Sequence, residues 1–177
     1  KPKVLGRVKR IENANEKYIE ILRKNFPLNF NLKGMKIVLD CANGAAYKAG
    51  PKLLSELGAK VISIGINPNG LNINQKCGST YPSKVLSFVK KYKAKLGISL
   101  DGDADRIFMV DEKGNILWGD QLLTIFSRDI LSKNPGATIV GEVKCSQNLY
   151  HDIKKHGGVP VMAPAGHSLI KNKMRET

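Results

Sequence analysis

The sequence predicts an α/β protein made of two successive βαβ-type units with mixed, largely parallel sheets. Three observations carry that expectation. Short apolar runs of strand length, such as MKIVLD, KVISIGI and LGISL, alternate with segments of helical period. The connections are short and punctuated by Gly, Asn and Pro, and the alternation starts again near Asn115. Strand, helix, strand with such links implies parallel pairing through a right-handed crossover.

Taken in order, the chain begins with a short β-like stretch. From about Ala14, the spacing of Tyr18, Ile19, Leu22 and Phe26 marks one apolar helical face, which Pro27 ends. After a turn at Lys33-Gly34, residues 35–40 read as a strand, and CANGAA makes a tight connection into a helix near 51–57. Gly58 stops that helix before the strand KVISIGI. GxGxxG and GxxxxGK[ST] are both absent, so CANGAA reads as a structural turn rather than a phosphate cradle.

The stretch after it, rich in Asn, Gly and Pro, reads as loop. Its NIN and CGST groups either meet a ligand or satisfy the loop itself. Residues 82–92 have helical spacing at Val85, Leu86 and Val89, and strands follow at LGISL and RIFMV. DEKGN is a turn and ILWGD extended. Residues 121–131 form a helix with Leu122, Leu123, Ile125, Phe126 and Ile130 facing largely inward. TIVGEV starts a strand, 148–155 a helix, GGVPVM an extended segment and 168–174 a last helix. No internal repeat is evident.

Composition narrows the functional classes. The 177 residues hold 42% hydrophobic side chains, ordinary for a globular core, and no apolar run of membrane-spanning length. A net charge of +14 suits an anionic partner, but aromatics are only 6% and the lysines are scattered. A solvated basic surface is therefore expected over a nucleic-acid interface, although sugar phosphates would be attracted equally. Cys41, Cys77 and Cys145 lack a CxxC spacing, which argues against a disulfide framework and a zinc site. With no leader pattern, a reducing cytoplasmic location is the expectation.

The chemistry concentrates in LGISLDGDADRIFMVD. Asp101, Asp103 and Asp105 repel one another unless a cation or a sharp loop holds them, and such an oxygen set suits a hard divalent ion, foremost Mg²⁺. A calcium EF-hand loop would need glycine where Arg106 stands, and helices where these flanks read as strands. Arg106, beside a metal, suits the grip on a phosphate, so phosphoryl chemistry leads. Lys144 and His167 are, on their residues alone, surface or capping groups, as are His151 and His156.

DGDADR, with the strands around it and the Gly-Asp that follows, resembles the metal loop of the α-D-phosphohexomutases, which interconvert hexose 1-phosphates and 6-phosphates. VLDCANGAA is similar to the opening of their second domain, and GLNINQKCGST to a loop of the phosphoglucosamine mutases. VKC and GHSLIKNKMRE are similar to third-domain segments of phosphomannomutase/phosphoglucomutase enzymes. The resemblance implies phosphoglucomutase-like domains: residues 1–115 as domain 2, and 116–177 as the first part of the sugar-binding domain 3, left incomplete.

It also implies an isomerase acting through a phosphoserine and a bisphosphate intermediate. Asp101, Asp103 and Asp105 would hold Mg²⁺ against the phosphoserine, and Arg106 would be catalytic, steadying the moving charge. Lys144, Gly166 and His167 would bind the hexose phosphate, with His167 a candidate proton carrier. The family's phosphoserine, Gly-Glu-x-Ser-Gly-His and distal-phosphate segments are not in this sequence. The expectation is therefore a fragment, inactive without the remaining domains of its parent enzyme. The subtype clues conflict. The expectation leans to phosphomannomutase/phosphoglucomutase, because its matching residues face substrate, with phosphoglucosamine mutase the alternative. A basic nucleic-acid-binding α/β module is the alternative from another class.

Overall fold

The structure, a computed structural model, describes residues 6–177. The chain divides into two compact units, one of residues up to Arg106 with Val110–Gly114, the other of Ile107–Met109 with Asn115–Thr177.

The first unit runs α1 (Ala14–Lys24), β1 (Lys36–Asp40), a 3-10 turn (Ala45–Tyr47), α2 (Ala49–Glu56), β2 (Lys60–Ile64), α3 (Pro82–Tyr92) and β3 (Leu96–Leu100). β4 (Ile107–Asp111), divided between the two units, and the short β5 (Ile116–Leu117) of the second follow, and the strand order of the sheet is β2-β1-β3-β4-β5. β1 pairs in parallel with β2 from Lys36↔Lys60 to Asp40↔Ile64, and with β3 from Ile37↔Leu96 to Asp40↔Ser99. The link 101–106 is too short for a parallel crossover, so β4 turns back and the sheet is mixed.

β1 is an interior strand covered on both faces, which is why KIVLD lacks polar alternation: Ile37, Val38, Leu39 and Asp40 are all buried. α3 starts on Pro82, whose fixed φ suits a first helical turn, and lays Val85 and Val89 on the sheet. Gly97 on β3 makes room for them, since a Cβ there would sit 2.7 Å from Val89 and 3.0 Å from Val85.

Some boundaries differ from the sequence expectation. The β-like start lies partly outside the described residues, and 6–11 form no strand. α1 stops at Lys24, ahead of Pro27, and Tyr18 on its expected inner face is 54% exposed while Ile19 is buried. α2 begins at Ala49, because a proline in the first turn displaces no intrahelical donor.

In the second unit, α4 (Gly119–Lys133), β6 (Thr138–Glu142), α5 (Gln147–Lys155), β7 (Val159–Ala163) and α6 (His167–Glu176) follow β5. β6 and β7 pair in parallel from Thr138↔Val159 to Glu142↔Ala163, with α5 as their crossover. Leu131, Leu149 and Ile153 form the core, joined by Leu123, Ala137, Ile139 and Cys145. Arg128 grips Asp152 through two bonds, Nε to Oδ2 at 2.9 Å and Nη2 to Oδ1 at 2.6 Å, tying α4 to α5.

The expected inner face of α4 is corrected. Leu122, Ser127 and Leu131 are buried, whereas Ile125, Phe126 and Ile130 are 45–54% exposed. This helix is apolar on most sides, so its period does not identify the packed stripe. Trp118 is extended as expected, but Gly119 and Asp120 are not: α4 begins at Gly119, and the Gln121 side chain accepts the Trp118 N–H at 2.9 Å, half of a capping box. No helix among the described residues is long and apolar enough to cross a membrane.

Candidate metal centre

The loop 101–106 leaves the carboxyl end of β3, the edge of an α/β sheet where ligands are met. The Asp101 N–H donates to the Arg106 carbonyl at 3.3 Å and the Ala104 N–H to the Asp101 carbonyl at 3.1 Å, closing a tight turn. Ala104 sits at φ 64°, a left-handed conformation that costs an L-residue about 1–2 kcal/mol. Strain of this kind persists where surroundings impose it.

Inside the turn, one oxygen from each of Asp101, Asp103 and Asp105 lies within 4.8 Å of the others. Asp101 is 1% exposed, while Asp103 and Asp105 face outward. The Arg106 N–H donates to Asp101 Oδ1 at 3.1 Å and its Nε to Oδ2 at 2.7 Å; Nε also lies 3.7 Å from Asp105 Oδ1. Burial pushes the Asp101 carboxyl up, but the hydrogen bonds and charge of Arg106 outweigh it, so it lies below the usual carboxylate value. Asp101 is thus held ionised, and each oxygen keeps a second lone pair. An ionised all-oxygen set with one buried and two accessible members fits a hard divalent cation.

Neighbouring loops fix this turn from below. The Ala45 N–H donates to the Gly102 carbonyl at 2.8 Å and the Ser79 N–H to the Leu100 carbonyl at 3.0 Å. A Cβ on Gly44 would lie 2.1 Å from the Gly102 oxygen, so the two backbones touch directly. CANGAA is therefore packed against the aspartate loop. Beside it, Asn15, Tyr18, Ala45, Ala49, Leu53 and Asp103 line an open cavity of about 440 Å³. The three aspartates lie between strands, unlike the ligands of an EF-hand.

Asn72 of NIN serves the loop, whereas the Gly78 and Ser79 N–H groups of CGST donate outside it, to Asp40 and to the Leu100 carbonyl. The Asn43 side chain donates to the Asn72 carbonyl and accepts the Asn67 N–H, and Asn72 accepts the Asn69 N–H. Sequence reasoning missed Asp40, a carboxylate at 0% exposure whose Oδ1 and Oδ2 accept the Ala42 and Gly78 N–H groups at 2.9 and 2.8 Å. Its signal was present: an acid closing an apolar, two-faced strand. The three cysteines are unpaired, and burial pushes the Cys41 thiol up to about 12, which keeps it inert.

In the second unit, Lys144 lies in the turn after β6, while Gly166 caps α6 at φ 131° and His167 opens that helix after β7. All three are exposed. The Val143 N–H donates to the Ala163 carbonyl at 2.9 Å, so both loops leave the same carboxyl edge of the sheet.

Residues 16–114 match the family described as phosphoglucomutase/phosphomannomutase, alpha/beta/alpha domain II, and 118–177 match alpha/beta/alpha domain III of the same family. The phosphoglucosamine mutase of Pelagibacter ubique is 54% identical over 99% of this chain, and that of Caulobacter vibrioides 43% over the same share. The chain spans about 40% of the length of these curated relatives. A solved phosphoglucomutase/phosphomannomutase family protein from Burkholderia thailandensis superposes with a TM-score of 0.82 at 33% identity, covering 93% of this chain and 36% of that one. These relatives' names reverse the subtype lean: they favour phosphoglucosamine mutase over phosphomannomutase/phosphoglucomutase. The chain belongs to the phosphoglucomutase/phosphomannomutase family, matching its α/β/α domains II and III.

Proposed function

We propose that this chain works within a magnesium-dependent phosphoglucosamine mutase, an isomerase that exchanges glucosamine 1-phosphate and 6-phosphate. The observation that carries the chemistry is the convergence of three carboxylates at the end of β3 with Arg106 on the buried one. The 54% identity to a phosphoglucosamine mutase carries the sugar.

Phosphoryl transfer breaks one P–O bond, forms another, and spreads charge over the phosphoryl oxygens. Magnesium, when bound by Asp101, Asp103 and Asp105, supplies Lewis-acid stabilisation of that charge. Arg106 engages Asp101 through Nε and is 67% exposed, which leaves the far end of its fork for a phosphate oxygen. Lys144 and His167 meet the sugar phosphate from the carboxyl edge of β6 and β7. Gly166 lets the ligand approach the backbone there, because no side chain stands at that position. His167 is the candidate proton carrier of this edge. The phosphorylated serine of the family reaction lies outside these residues, so the activity belongs to a longer chain.

Turnover of glucosamine, mannose and glucose 6-phosphates by the full-length protein tests the reading. The expected result is highest kcat/KM on the glucosamine phosphate. Preference for mannose or glucose phosphate overturns the sugar assignment, and no turnover of any overturns the mutase reading.

A further inference from the structure

We propose that Asp40 is a positioning residue that holds the aspartate loop in its cation-binding shape through two neighbouring loops. The inference rests on the reading of Asp101, Asp103 and Asp105 as a magnesium site.

Asp40 ends β1 at the same height as Ser99 on β3, directly before the aspartate loop. An ionised carboxylate without solvent is tolerated only when donors replace its water. Here the donors come from two loops far apart in sequence, Ala42 to Oδ1 and Gly78 to Oδ2. Both residues are left-handed, at φ 54° and 82°, and a Cβ on Gly78 would meet that of Ala42 at 2.7 Å. One carboxylate therefore clamps two left-handed loop positions together, and the Asn74 N–H donates to the Ala42 carbonyl at 2.8 Å across the same junction.

Each clamped loop then holds the aspartate loop by its backbone. Beyond Ala42, the Ala45 N–H takes the Gly102 carbonyl; beyond Gly78, the Ser79 N–H takes the Leu100 carbonyl. Gly102 and Leu100 flank Asp101, so the clamp acts on the backbone of a proposed ligand from both sides. A Cβ on Gly102 would lie 2.6 Å from Ile73 Cδ1, so the segment 72–79 packs directly against the aspartate loop. An acceptor-only carboxylate is the side chain this junction needs. The amide of Asn matches its size but turns an NH₂ toward one of the two N–H donors.

The test is a calorimetric Mg²⁺ titration of the full-length protein and its Asp40→Asn variant, with circular dichroism to verify folding. The expected result is a folded variant whose Mg²⁺ affinity falls about tenfold or more, the range for groups that orient metal ligands. A variant of lower melting temperature and unchanged affinity overturns the inference, since Asp40 would then be structural only.

Amide hydrogen exchange on the unaltered protein supplies a readout that needs no variant. Saturating Mg²⁺ is expected to protect Ala42 and Gly78 more than Ile62 of β2, because coupling between clamp and cation is reciprocal. Equal protection at all three overturns it. Failure of the unaltered protein to bind Mg²⁺ removes the metal reading and this inference together, whereas equal binding by both proteins removes this inference alone.

Discussion

The carboxyl ends of β3 and of the parallel pair β6 and β7 hold candidate groups in opposite ways. At the edge of β3 the groups are set in a rigid mount: Asp101 is buried, Arg106 is locked onto it at 2.7 Å, and glycine backbones interlock beneath. At the edge of β6 and β7, Lys144, Gly166 and His167 are exposed, and a Cβ on Gly166 would meet nothing closer than 3.8 Å. On the proposed reading, a cation at the first edge would demand carboxylates at fixed separation against their own repulsion, and a sugar phosphate at the second would meet exposed groups on short loops.

The largest effect expected from this contrast is chemical. Asp103→Asn removes a charge from an exposed position, so it should leave the fold intact. Activity of the full-length protein should nevertheless fall at least about 100-fold, since loss of an orienting group alone costs 10–100-fold. Retained activity would break the comparison at its stronger end.

Next come the glycines. Gly44→Ala must push apart backbones that now touch, and urea unfolding should register a loss of about 2–3 kcal/mol. Gly166→Ala has room and pays only for its backbone, at φ 131° and ψ 126°, so a loss of about 1–2 kcal/mol is expected. Equal losses would mean that the two edges are equally constrained.

A smaller, pH-dependent effect is expected within the second unit. The Arg128 hydrogen bonds and charge hold the Asp152 carboxyl below its ordinary value of 3.8, against burial. Because the folded value is the lower one, the pair's contribution is complete above about 3.8 and is lost as pH falls through the folded value. Arg128→Ala should flatten that acid-side slope and cost less than about 1 kcal/mol at neutral pH, because the arginine is half exposed. Asp40 runs the other way. Burial raises its carboxyl above 3.8, outweighing the Gly78 and Ala42 hydrogen bonds, so its ionised form costs stability at neutral pH, and acidification relieves that cost between the raised value and 3.8.

The smallest effect belongs to Ser99, whose buried Oγ is the one such side-chain atom without a hydrogen-bond partner among the described residues. Ser99→Ala should change stability by no more than about 0.5 kcal/mol, or raise it.

The same contrast separates what was legible in the sequence. The aspartate loop is compressed into six adjacent positions between two strand-like runs, so its donors could be read directly. α3 was legible because Pro82 marks its start and Val85 and Val89 its face. What holds the loop was not legible, because Asp40, Gly44 and Gly78 act through backbone groups distant in sequence. The packed face of α4 was hidden for a different reason: Leu122, Leu123, Ile125, Phe126 and Ile130 spread apolar surface around the helix, and only tertiary packing selects among them. The relatives' names run against the subtype lean because that lean rests on the short segments VKC and GHSLIKNKMRE, whereas the identity extends over nearly the whole chain.

The central claim is that residues 101–106 form a magnesium site. The measurement that meets it most directly is a calorimetric Mg²⁺ titration of the full-length protein beside its Asp103→Asn variant. One saturable site in the unaltered protein, abolished in a folded variant, is the predicted result. Identical titrations, with binding in both or in neither, would contradict it.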